Sequence, residues 1–169
     1  MTSGTADGAS RDLEAAGVRT RRVPAADFEE TVDELVDRSA VGVELTDSPV
    51  SLADTSVTVD PTPAELQRAT VGVTPASTCV ADYGSLVLPS TADGAELVSL
   101  FVDSHVVVLD EGDVVRDMQT AFDEFDADAE AARGSRVLAT GPSATADMGS
   151  LVEGAHGLKD VTAILLTGD

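Results

Sequence analysis

Two short stretches of the chain carry side chains suited to chemistry. In Gly141-Pro142-Ser143-Ala144-Thr145, backbone N–H groups and two hydroxyls follow the β-rich run that starts at Arg136, and Asp147 stands in the first turn of a short helical pattern. A loop that leaves a strand and enters a helix presents unpaired N–H groups and the positive end of a helix dipole, which suits a carboxylate, phosphate or pyrophosphate. Ordinary helix capping by Ser143 or Thr145, with Asp147 complementing the dipole, uses the same residues. The loop lacks the lysine and full glycine pattern of a P-loop. His156, followed by Gly157, closes the stretch, where an imidazole either meets a ligand or stabilises a helix C-terminus.

The other stretch, Asp82-Tyr83-Gly84-Ser85, places a carboxylate, a phenol and a hydroxyl around a glycine between two apolar runs. A carboxylate at a strand end serves as base, nucleophile or hydrogen-bond acceptor. A tight Asx-type turn accounts for the same residues. Cys79, inside the preceding apolar run and without a basic neighbour, reads as core, and His105, opening the run His105–Leu109, reads as a structural histidine.

These residues need elements to hold them. Residues 1–10 contain little to bury and read as a frayed tail, leaving 11–169 as a single domain. Phe28, Val32, Leu35 and Val36 fall at helical spacing, with Asp27 as N-cap and Glu30 three residues on. Strands are predicted at 41–45, 57–59, 71–74, 78–81, 85–88, 105–109, 136–140 and 162–166. A short helix with proline at its start is predicted at 63–69, and a longer one after Asp113, with Val114, Val115, Met118, Ala121, Phe122 and Phe125 on its apolar face. The acidic run 123–128 lacks the glycine of a calcium loop and reads as a solvated helix end. Strands alternating with helices, several of them apolar on both faces, predict an α/β fold with a mostly parallel sheet.

Composition narrows the function. The 169 residues carry 31 acids against 10 bases, a net charge of −21, and Lys159 is the sole lysine. With no basic stripe to neutralise phosphates, nucleic-acid binding is excluded; Arg19, Arg21 and Arg22, the one basic cluster, read as a solvated loop. Scattered acidity with 3% aromatics predicts a surface adapted to high salt, where the screening length falls to about 3 Å at 1 M. A single cysteine rules out an internal disulfide framework or an iron–sulfur cluster held by this chain alone, and two histidines among scattered acids define no metal spacing. No run approaches the length of a membrane span and the N-terminus has no secretory core, so a cytoplasmic location is expected.

Three ordered blocks resemble the LUD family, also called the lactate utilization protein C family: Val80–Leu88, Ser104–Val108, and Thr140–Asp147 with His156-Gly157. The resemblance implies a Rossmann-like, mostly parallel α/β sheet similar to that of sugar-phosphate isomerases and CoA transferases. It implies a role in oxidising L-lactate to pyruvate beside iron–sulfur partner proteins. The implied site takes Asp82 and His156 as catalytic candidates. Tyr83, Gly84, Ser85, Gly141, Pro142, Ser143, Thr145, Asp147 and Gly157 would line a small carboxylate or phosphorylated ligand, with the two stretches converging at the carboxyl ends of strands. Where the family commonly has Ala-Glu-Thr-Gly-Thr, this chain has Ala81-Asp82-Tyr83-Gly84-Ser85, with a carboxylate one methylene shorter. Ala144 stands where relatives are often basic, and Leu158 where proline is usual. With no cysteine cluster and no Gly-x-Gly-x-x-Gly fingerprint, no cofactor is expected. Two functions stay open: an accessory subunit, or a stand-alone enzyme of CoA-transferase or sugar-phosphate-isomerase type.

Overall fold

The computed structural model of the chain describes residues 3–36, 39–90, 92–127, 135–140 and 159–168. In chain order these form α1 (Ser3–Ala15), β1 (Arg19–Pro24), α2 (Phe28–Leu35), β2 (Ala40–Gly42), β3 (Thr58–Val59), α3 (Pro63–Leu66), β4 (Val71–Pro75) and β5 (Thr78–Val80). They continue with β6 (Ser85–Pro89), α4 (Ala95–Phe101), β7 (Ser104–Asp110), β8 (Val114–Val115), α5 (Met118–Ala127), β9 (Arg136–Thr140) and β10 (Asp160–Thr167).

Valine- and isoleucine-rich runs that are apolar on both faces build a six-stranded sheet in the order β1-β10-β7-β4-β2-β3, and every neighbouring pair is parallel. On one face Val73, Val106, Val108, Ile164 and Leu166 pack under Phe28 and Val32 of α2. The alternate residues, Val107, Leu109, Val161, Ala163 and Leu165, face Leu13 of α1 and a second sheet carrying Cys79, Leu86, Leu88 and Ala139. Beside that sheet, Ala95 and Val98 of α4, with Val102 just after it, pack against Val41 and Val43. Gly72 permits this approach, since a Cβ there would lie 2.7 Å from Val98 Cγ1. The arrangement is the mostly parallel α/β class expected from the alternation of elements, and it is Rossmann-like, as the family resemblance implies.

The second sheet, ordered β8-β5-β6-β9, revises several expectations. After β4 the chain turns at Ala76 and Ser77, whose N–H groups donate to Val108 O and Val87 O at 2.9 Å each. It then runs back over the main sheet as β5. Consequently 78–80 and 85–89 form an antiparallel hairpin outside the main sheet, and β9 joins β6 antiparallel instead of extending the parallel set.

Other differences have local causes. The segment 1–10, expected to fray, is helical from Ser3, and the helix is anchored by Leu13, which is fully buried. Arg19, Arg21 and Arg22 lie on β1 and not in a loop, because Val18 and Val23 are buried at either end of that run. Arg19 pairs with Asp160, and Arg22 Nε lies 2.5 Å from Glu111. Val114 and Val115 form β8 alongside Cys79 and Val80 instead of opening the helix. The helix starts at Met118, where Asp117 Oδ1 accepts from Thr120 N at 2.8 Å; Asp113 is not its cap. Asp27 occupies the N-cap position of α2 without a side-chain bond to the helix.

Candidate functional site

Residues Ala81–Tyr83 make one turn of 3-10 helix between β5 and β6, closed by Gly84 N donating to Ala81 O at 3.2 Å. Gly84 adopts φ +58°, and a Cβ there would lie 2.5 Å from Ala16 Cβ, so the residue is fixed both by conformation and by close approach to the end of α1. From the other side Asp82 N donates to Arg116 O at 3.0 Å. The backbone of the turn is thereby held while its side chains reach outward: Asp82 is exposed and the Tyr83 ring is 58% exposed.

Ser85 is 4% exposed and pairs in register with Thr140, its Oγ 3.1 Å from Thr140 Oγ1. Leu86 and Ala139 point toward the main sheet, so strand alternation puts Ser85 and Thr140 on the outer face. The residue that leads into Gly141 thus stands beside the turn that carries Asp82. Gly141, Pro142, Ser143, Thr145, Asp147, His156 and Gly157 lie outside the described residues. Just before β10, Lys159 N donates to Asp103 O at 2.8 Å.

The end of the fold that holds this turn differs from expectation. Gly84 packs on Ala16 and Val18, which immediately precede β1, and Arg19 is in register with Thr162 near the start of β10. The Asp82–Ser85 turn therefore lies at the amino edge of the parallel sheet. The physical reason is the reversal at Ala76 and Ser77: β5 carries the chain from the carboxyl edge back to the amino edge before the motif begins.

The carboxyl edge holds a different feature. A cleft of about 660 Å³ opens where β2, β4, β7 and β10 end, and its lining includes Glu44, Asp47, Ser77, Asp110, Asp113 and Arg136. Burial, reinforced by the charges of Asp110 and Glu124, raises the pKa of Asp113 above the usual carboxylate value. Arg136 brings a cation to the lining and stacks its guanidinium 4.5 Å from the centre of the Phe125 ring. Such a lining offers hydrogen-bond acceptors and a guanidinium donor, while its carboxylates oppose a free anion. The sequence reading missed this cleft because its acids are scattered along the chain. The available signal was that Glu44 and Asp110 fall within or just after apolar β runs.

The two residues assigned to the core lie there. Cys79 is fully buried, and burial pushes its thiol up to about 12, which suppresses the thiolate. His105 is 1% exposed with Nε2 2.8 Å from Thr74 Oγ1, and burial pulls its pKa down to about 4, keeping the ring neutral. Among the described residues no three His, Cys, Asp or Glu side chains are placed to hold a metal ion, and no helix is long and apolar enough to cross a membrane.

The model of the LUD domain matches residues 8–166, nearly the whole chain. The protein belongs to the LUD domain family. The family is associated with lactate utilisation in general. A solved structure of a DUF162 family protein from Deinococcus radiodurans shares the fold of this LUD domain, with a TM-score of 0.68 at 20% identity over 98% of this chain and 95% of that one. No curated protein matches the chain. Within this LUD domain, the Asp82–Ser85 turn and Thr140 form the described part of the candidate site.

Proposed function

We propose that this LUD domain is a cytoplasmic accessory subunit of L-lactate oxidation to pyruvate, acting with iron–sulfur partner proteins. In this reading it binds a small carboxylate or a phosphorylated acid between the Asp82–Ser85 turn and the segment containing Gly141, Pro142, Ser143, Thr145, Asp147, His156 and Gly157. The observation that carries the reading is the pairing of Ser85 with Thr140, which sets one motif stretch beside the start of the other. Asp82 fits a binding or contact role better than a nucleophilic one. Its side chain is exposed and one methylene shorter than the glutamate common in the family, which shortens its reach toward a substrate.

The test is calorimetric titration of L-lactate, pyruvate and a phosphorylated hydroxy acid. Ser143→Ala or His156→Ala is expected to weaken binding by about 1–3 kcal/mol through loss of a hydrogen bond to a charged group. Absence of heat for every acid, in the parent and both variants, overturns the binding part of the reading. The net charge of −21 is read as adaptation to high salt, so these titrations belong in molar salt.

A second reading, an enzyme of CoA-transferase or sugar-phosphate-isomerase type, is favoured by one observation. The cleft at the carboxyl edge occupies the place where open α/β sheets take ligands, and among the described residues Arg136 is its one cation against five carboxylates, which favours the uncharged part of such a substrate over its phosphate.

A further inference from the structure

Helix α4 buries Ala95, Val98 and Ser99 but turns three large apolar side chains to solvent: Leu97 is 51% exposed, Leu100 70% and Phe101 55%. Their spacing, i, i+3 and i+4, puts them on one side of the helix as a contiguous strip. Single exposed leucines are ordinary, whereas a clustered strip on a chain with 31 acids calls for a partner. A groove of about 270 Å³ runs beside the strip, lined by Pro61, Leu66, Gly94 and Leu97 and bordered by the carboxylates Asp60 and Asp93.

We infer that the outer face of α4 docks a protein surface that presents apolar anchors within a rim of lysine and arginine. The apolar strip and groove supply the desolvated centre that makes interface contacts strong, and Asp60 and Asp93 supply the complementary charge. Charge decides against the other occupants. A second copy docked through the same face would set Asp60 and Asp93 against their own counterparts at contact range, where salt screens least, and an anionic lipid surface repels the same acids. The inference stands apart from the lactate reading, because it concerns α4 and not the Asp82–Ser85 turn.

The experiment titrates the full chain with a synthetic helical peptide bearing leucines at i, i+3, i+4 and i+7 with lysines elsewhere, and with a matched peptide in which glutamates replace the lysines. The lysine peptide is expected to bind, more weakly as salt rises from about 0.1 M to about 1 M. The triple variant Leu97→Ser, Leu100→Ser, Phe101→Ser is expected to lose at least about tenfold in affinity while its circular dichroism and melting midpoint stay those of the parent. Equal binding by parent and variant overturns the inference by showing attraction through charge alone. Equal binding of the glutamate peptide overturns the charge complementarity. Sedimentation showing a dimer of the parent that the variant abolishes makes a second copy the occupant instead. Loss, in the variant, of binding to vesicles of anionic phospholipid makes it a membrane.

Discussion

Ser85 Oγ lies 3.1 Å from Thr140 Oγ1 across the antiparallel pair β6 and β9, linking the end of the Asp82 turn to the residue before Gly141. Both hydroxyls sit on the outer face of the second sheet, and Ser85 is 4% exposed, so the bond is shielded from water on one side. A double-mutant cycle with Ser85→Ala and Thr140→Val, read by urea unfolding, is expected to give a coupling of about 0.5–1.5 kcal/mol. Strict additivity of the two substitutions contradicts the link.

Gly84 is the residue on which the turn depends. Gly84→Ala must adopt a left-handed backbone and displace Ala16, whose Cβ would be 2.5 Å away. The expected loss of stability is about 2–4 kcal/mol, combining the conformational and overpacking costs. Ala16→Gly in the same background removes the close contact and is expected to restore part of the loss. A neutral Gly84→Ala in thermal melts contradicts the packing of the turn on α1.

Local patterning made the parallel sheet legible: β4, β7 and β10 are apolar runs bounded by polar or turn residues, and the structure pairs them side by side. The second sheet was not legible, because β5, β6 and β9 are short and apolar in the same way, and only their tertiary pairing separates them from the main sheet. Asp113 and Asp117 show the same limit on a smaller scale. Both are acids ahead of an apolar helical pattern, and the pairing of Val114 and Val115 with β5 leaves the cap to Asp117. At the site, the residue types around Asp82 and Ser85 could be read from the sequence, whereas the end of the fold they occupy depended on the reversal at Ala76 and Ser77.

His105 makes stability depend on pH in a defined window. Burial lowers its folded pKa to about 4 from the ordinary 6.5, so between these values the unfolded chain binds the additional proton. Its contribution is complete above about pH 6.5, falls as pH drops toward about 4 and changes no further below that, with a slope of up to about 1.4 kcal/mol per pH unit. Because carboxylates titrate nearby in pH, the measurement is the difference between parent and His105→Gln in urea unfolding free energy at about pH 7 and about pH 5. The parent is expected to lose more than the variant, and parallel losses contradict a buried neutral histidine.

The role of Asp82 tests the central claim most directly. Lactate-dependent dye reduction is measured with the parent and with Asp82→Asn, each reconstituted in high salt with the iron–sulfur subunits that the proposed function calls for. As an accessory subunit, the variant is expected to keep turnover within about threefold of the parent, since the substitution preserves shape and leaves the redox step to the partners. A loss of about a hundredfold or more makes Asp82 a reacting group and contradicts the account.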